Sequence, residues 1–169
     1  MHYTTTGTAA VDRMKIGMRF AREPSPREVL PTAFVNATLA IPAGKNNVAV
    51  ETDITFLQDA VIWGLFPHAH LRGKRWRYVL ELQDGSRSTV LDIPRYDPNW
   101  QIYYMFKDPL KVPGGARLVA TAWYDNSAAN PHNPDPKSDV KWGDQTWEEM
   151  HYSGILLSPE RPPAALRRN

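Results

Sequence analysis

Cysteine is absent from this 169-residue chain. That excludes disulfides, thiolate metal sites and a cysteine nucleophile, and leaves the compartment open. Long apolar runs are missing too. No stretch approaches the roughly 20 residues that a membrane-spanning helix needs, so no membrane insertion is expected. The start, Met1-His2-Tyr3-Thr4-Thr5-Thr6-Gly7, is polar and is not the pattern of a signal peptide. It reads as a start within a motif, as in a piece of a longer protein with Met1 added. Charge of one sign is also lacking. The formal net charge is +2, and the basic residues are scattered apart from Arg161, Arg167 and Arg168. That argues against nucleic acid or an acidic membrane surface as a partner. There is no G-x-G-x-x-G, no phosphate-binding loop and no G-x-S-x-G. Glu148 and Glu149 are adjacent and do not form an obvious acid/base pair.

Ordinary globular composition remains, with 42% hydrophobic and 22% charged residues, enough for one domain with a core. Fifteen prolines and ten glycines punctuate short segments. Apolar residues alternate in Met14 to Ala21, Asn47 to Leu57 and Arg75 to Leu82, and Phe34 to Ile41 is a further strand candidate. Asp59 to Phe66 is more continuously apolar, as in a strand buried on both faces. Asp84-Gly85 signals a hairpin, with Ser88 to Ile93 as the return strand. Trp100 to Phe106, Arg117 to Tyr124 and Tyr152 to Leu157 complete the set, and Lys111 to Gly115 reads as a turn. Short strands at this spacing predict an all-β sandwich or barrel. Asp125 to Asp139 reads as a long polar loop, the kind that is functional or disordered. Thr146-Trp147-Glu148-Glu149 fits a capping box and predicts a short helical turn. One domain is expected over 1–158, then a Pro/Arg-rich tail over 159–169.

His68 and His70 close the apolar segment that begins at Asp59. Residues two apart on a strand share a face, roughly 6–7 Å apart, so two imidazoles there can converge on one metal ion. Taken singly, the other candidates have bland readings. Met150 would fill core space. His151 and His132 would be surface histidines, and His2 a residue near a chain start. Trp76, Trp100, Trp123, Trp142 and Trp147 could stack on sugars, and their places on alternating strands fit a sandwich core better.

Five pieces occur in order: Pro67-His68-Ala69-His70-Leu71-Arg72-Gly73-Lys74, Tyr124 to Pro131, Asn133-Pro134-Asp135-Pro136, Trp142-Gly143-Asp144-Gln145-Thr146, and Glu148-Glu149-Met150. The set resembles the C-terminal domain of the copper type II, ascorbate-dependent monooxygenases, the family of dopamine beta-monooxygenase and peptidylglycine alpha-hydroxylating monooxygenase, and is most similar to its bacterial members. The resemblance runs from His2 to about Leu157. It implies an antiparallel, jelly-roll-like β-sandwich that holds the oxygen-activating copper on His68, His70 and Met150. It implies C–H hydroxylation of a small organic substrate by dioxygen, and a periplasmic or extracellular location. A thioether favours Cu(I), and imidazoles suit both oxidation states.

The family's second copper uses a His-His pair in an N-terminal domain and a third histidine, matched here by His2. No His-His pair occurs in this chain. The resemblance therefore implies an N-terminal copper domain as partner. Phe66 stands where the peptide-amidating enzymes carry an arginine, and Gly154 where they carry a tyrosine, so peptidylglycine is not the expected substrate. His151 follows Met150 as a bystander, with a supporting or substitute ligand role as the alternative. Two rival functions stay open: a copper-binding or electron-transfer module without monooxygenase activity, and a carbohydrate-binding sandwich without metal.

Overall fold

A computed structural model describes residues 6–23, 25 and 27–160 of the chain. The protein is an all-β, jelly-roll-like antiparallel sandwich. In chain order its strands are β1 (Leu30–Val35), β2 (Ala40–Ile41), β3 (Val48–Thr55), β4 (Ala60–His68), β5 (Gly73–Glu81), β6 (Arg87–Ile93), β7 (Tyr104–Val112), β8 (Arg117–Tyr124), β9 (Val140–Lys141) and β10 (Tyr152–Pro159). One four-stranded sheet runs β1-β10-β4-β7, the other β3-β8-β5-β6, and β2 pairs with β9. Every pairing between these strands is antiparallel.

Period-2 patterning explains the second sheet. Trp76, Tyr78 and Leu80 of β5 face inward, and the β8 residues opposite them are Ala122, Ala120 and Leu118. Trp76 and Tyr78 each meet an alanine, so the layer fills without a clash there. Each such burial of a large apolar side chain contributes about 1.5–3 kcal/mol. The outer face carries charge. Arg75 and Arg77 both pair with Asp92, and Arg117 pairs with Asp53 and Glu81. The Arg75 guanidinium also lies over Trp123, 4.8 Å from the ring centre. The hairpin between β5 and β6 turns at Asp84-Gly85, where Gly85 adopts φ 84°, a conformation that glycine takes without steric cost.

The first sheet positions the histidines. The pairing of β4 with β7 shifts between Ile62 and Gly64, a bulge that changes which residues face in. Beyond it Leu65, Pro67 and Ala69 are buried, and Phe66, His68 and His70 alternate with them, half-buried, on the other side.

Several expectations need correction. Met14 to Ala21 forms no strand, and Ile16, Met18 and Phe20 are exposed. Alternation supplies a face, but a strand also needs a neighbour for its N–H and C=O groups, and none pairs with this segment among the described residues. Phe34 to Ile41 is split between β1 and β2 by a turn in which Leu39 N–H donates to Asn36 O. The segment from Trp100 becomes strand only at Tyr104 and continues to Val112. The turn after it tightens to Pro113-Gly114-Gly115. Trp100 and Trp147 are exposed rather than core residues. Strand β10 runs on through Ser158 and Pro159, and Glu160 N–H donates to Asp59 O. Residues 161–169 and His2 lie outside the described residues.

Candidate metal centre

His68 is the last residue of β4 and His70 follows two residues later. Their ring centres are 5.2 Å apart and their planes nearly perpendicular. Both Nδ1 atoms face oxygen. His68 Nδ1 is hydrogen-bonded to Gln101 Oε1, and Gln101 is itself oriented by donating from Nε2 to Pro98 O at 2.7 Å. His70 Nδ1 is 3.1 Å from Glu148 O. A carbonyl only accepts, so each Nδ1 carries the proton and each Nε2 the lone pair, the tautomer that a metal ligand through Nε2 requires. A metal-binding histidine is typically fixed in this way.

One buried carboxylate organises the backbone. Glu149 is fully buried. It accepts from Arg72 N at 2.6 Å, His70 N at 2.7 Å and Met150 N at 3.2 Å. Burial pushes its pKa up to about 7, against the pull of those N–H groups and of the Arg72 charge. Arg72 is also buried. It donates from Nε to Asn126 Oδ1 and from a terminal nitrogen to Trp147 O. Asn126 in turn donates to Ser138 O and Pro42 O and accepts from Asn133 Nδ2. Asn130 Nδ2 donates to Leu71 O and Asp125 O. The polar loop from Asp125 is therefore bonded to the turn that carries His70.

Met150 is half-buried, and its carbonyl accepts from Tyr124 OH at 2.8 Å. It lines a depression together with His68, Phe66, Gln101, Asp144 and Tyr152. A second, smaller depression of about 280 Å³ is lined by both histidines and again by Gln101 and Asp144. His68 lies on the shared rim. Among the described residues no three or more His, Cys, Asp or Glu side chains gather as a metal cluster. His68 thus shares one depression with Met150 and the other with His70; two imidazoles and a thioether are donor types suited to copper.

The remaining expectations separate. The predicted helix at Thr146 is a hydrogen-bonded turn, in which Glu148 N–H donates to Gln145 O and the Glu148 carboxylate accepts from Gln145 N. Glu149 is drawn to His70 and Arg72 instead. His151 is not a surface residue. It is fully buried, edge-on to Trp76 at 4.7 Å, and neither ring nitrogen has a hydrogen-bond partner. Burial pushes its pKa down to about 4. His132 is exposed on a separate cavity. Sequence reasoning missed Glu149, Arg72 and Gln101 as site residues. For Arg72 and Asn126 a weak signal existed, because both fall within the polar motifs.

No family model matches this chain, and no curated protein does. Among solved structures, one described as the structure of infectious bursal disease virus Gt strain is similar at a TM-score of 0.26 and 10% identity, over 79% of this chain and 31% of that chain. A likeness that weak bears on neither fold nor function.

Proposed function

We propose that this chain is a copper-binding domain of a copper- and ascorbate-dependent monooxygenase, with His68, His70 and Met150 holding the oxygen-activating copper. The reading is supported above all by the pair of histidines whose Nδ1 atoms are both engaged by oxygen acceptors, with Met150 lining a depression that His68 also lines. Copper bound there would supply one-electron redox chemistry and activation of dioxygen. Hydroxylation consumes a substrate C–H, dioxygen, two electrons and two protons, and forms the alcohol and water. Ascorbate would be the electron source. An N-terminal copper domain would be the partner, a small organic molecule the substrate, and the periplasm or cell exterior the location. Gln101 and the Glu148 carbonyl hold the imidazole tautomers, and Glu149 holds the His70 and Met150 backbones.

The test is X-ray absorption on the Cu(I) form of the protein, with copper titrations of His68→Ala and Met150→Ile. The expected result is one copper with two nitrogen neighbours and one sulfur. Each substitution should weaken Cu(I) binding by at least about tenfold, or about 1.4 kcal/mol. Unchanged affinity in both variants would sink the assignment. Oxygen consumption with ascorbate would then separate an oxygenase from a copper module that only transfers electrons.

Exposure of Trp100 at 61% and Trp147 at 57% favours a second reading, a sugar-stacking sandwich without metal. A melting temperature raised by oligosaccharide and unmoved by copper would support that reading, because a ligand binding only the native state stabilises it.

A further inference from the structure

We infer that the cavity between residues 94–99 and 125–132 binds a small organic carboxylate. This deepens the proposed function by naming a substrate class, and it rests on that reading only for the link to the histidines. The cavity measures about 530 Å³, within the range of small-molecule sites. Leu71, Pro98 and Pro131 give it apolar wall, and Lys74, Arg95 and His132 give it cationic and hydrogen-bonding groups.

The cationic donors of the cavity are only partly engaged. Lys74 Nζ donates to Asn46 O at 3.0 Å. Neither the Arg95 guanidinium nor the His132 ring forms a hydrogen bond or ion pair with the described residues. Two carboxylates, Asp97 and Asp125, also line the cavity, and one oxygen of each is held within its own loop. Asp97 Oδ1 accepts from Asn99 N at 2.8 Å and Asn99 Nδ2 at 3.1 Å. Asp125 Oδ1 accepts from Ser127 N at 3.0 Å and Ser127 Oγ at 2.6 Å. Arg95 thus offers a planar fork to an outside carboxylate, the group it matches in a bidentate way.

The walls are preorganised on the segment that carries His70. Tyr96 N donates to Lys74 O at 2.9 Å, and Tyr96 OH bonds both Ala69 N and Ala69 O. Asn130 Nδ2 fixes the opposite wall to Leu71 O. Leu71, Pro98 and Asn99 line this cavity and also the depression of His68 and His70. A molecule anchored by its carboxylate at Arg95 can therefore extend over that rim toward the histidines.

The experiment is calorimetric titration of the metal-free full chain with phenylacetate, its neutral analogue phenylacetamide and inorganic phosphate. Phenylacetate should bind with a Kd of about 1 mM or tighter. Phenylacetamide should bind at least about tenfold more weakly, and Arg95→Gln should weaken phenylacetate by at least about tenfold. His132→Gln is the second variant, with a smaller loss expected. Arg95 and His132 are exposed, so an unchanged circular dichroism spectrum should accompany both variants. Equal binding of acid and amide, or wild-type affinity in Arg95→Gln, overturns the proposal. Phosphate binding as tightly as phenylacetate overturns the organic class. Copper titration of the same samples keeps the two readings apart. Lost carboxylate binding with copper binding intact defeats only the cavity, and the reverse defeats only the metal site.

Discussion

Two buried groups two residues apart should give this protein opposed pH dependences that cancel. The Glu149 carboxyl is raised from 4.5 to about 7 by burial. Between those values the folded state holds a proton that the unfolded state has lost. That contribution is fully present below 4.5 and is lost as pH rises through about 7. The His151 imidazole is lowered from 6.5 to about 4 by burial. Between those values the unfolded state holds the extra proton, so stability rises with pH from about 4 to 6.5. At 1.36 kcal/mol per pKa unit each shift amounts to about 3 kcal/mol. From pH 4.5 to 6.5 the two contributions offset each other in the wild type. Asp53, Asp84, Asp92 and Asp135 have lowered pKa values and act below that window. The assay is urea unfolding of the metal-free protein across this range for wild type, Glu149→Gln and His151→Phe. Subtracting wild type cancels every group the variants share. Relative to wild type, Glu149→Gln should gain about 3 kcal/mol on going from acid to neutral pH, and His151→Phe should lose about as much. Variant and wild-type curves that run parallel would refute the reasoning, because neither group would then change its proton affinity on folding.

Two further substitutions probe the frame around the site. Asn126→Ala removes the acceptor of Arg72 Nε and the donor to Ser138 O and Pro42 O. Leaving these buried groups unmatched should cost about 3 kcal/mol in urea unfolding, and a loss under about 0.5 kcal/mol would mean that water replaces the side chain. Gly154→Ala would place a Cβ 2.9 Å from Phe66 Cβ and 3.3 Å from Phe66 O. Overpacking of this kind costs about 1–3 kcal/mol. Phe66 is stacked on His68 at 6.0 Å, so the His68 ring resonances should shift as well. An unshifted His68 in a destabilised variant would show that Phe66 moves without carrying the histidine.

What was legible in the sequence was what has a local cause. Strands β3 and β5 show their alternation because one face is charged and the other packs. The hairpin at Asp84-Gly85 shows because its turn needs a residue at positive φ. His68 and His70 show because spacing along a strand fixes their common side. The segment with Met14, Ile16, Met18 and Phe20 has the same local signature and still fails, since pairing depends on a neighbour that its own pattern does not specify. Glu149 was illegible for the opposite reason. Two of its three partners are backbone N–H groups 77 and 79 positions away, and every non-proline residue carries such a group, so nothing in the chain marks these. Its spacing from Thr146 suggested a cap, a use that the long-range bonds displace. Met150 has no chemical mark of its own either, and only the ordered set of motifs drew attention to it.

The convergence of those motifs has a physical reading beyond the fold. A sandwich with this core does not need Glu149, Arg72 and Asn126 inside it, and apolar residues of similar size would be cheaper to bury than charged ones. The three are linked: the Glu149 carboxylate accepts from Arg72 N, and the Arg72 side chain donates to Asn126. A satisfied buried network of this kind admits few alternative arrangements. The relation it fixes most directly is between two backbones distant in sequence, because Glu149 Oε2 accepts from both His70 N and Met150 N. Disturbing Glu149 should therefore move the candidate ligands His70 and Met150 together. His68, held through Gln101 from the other side, should stay in place.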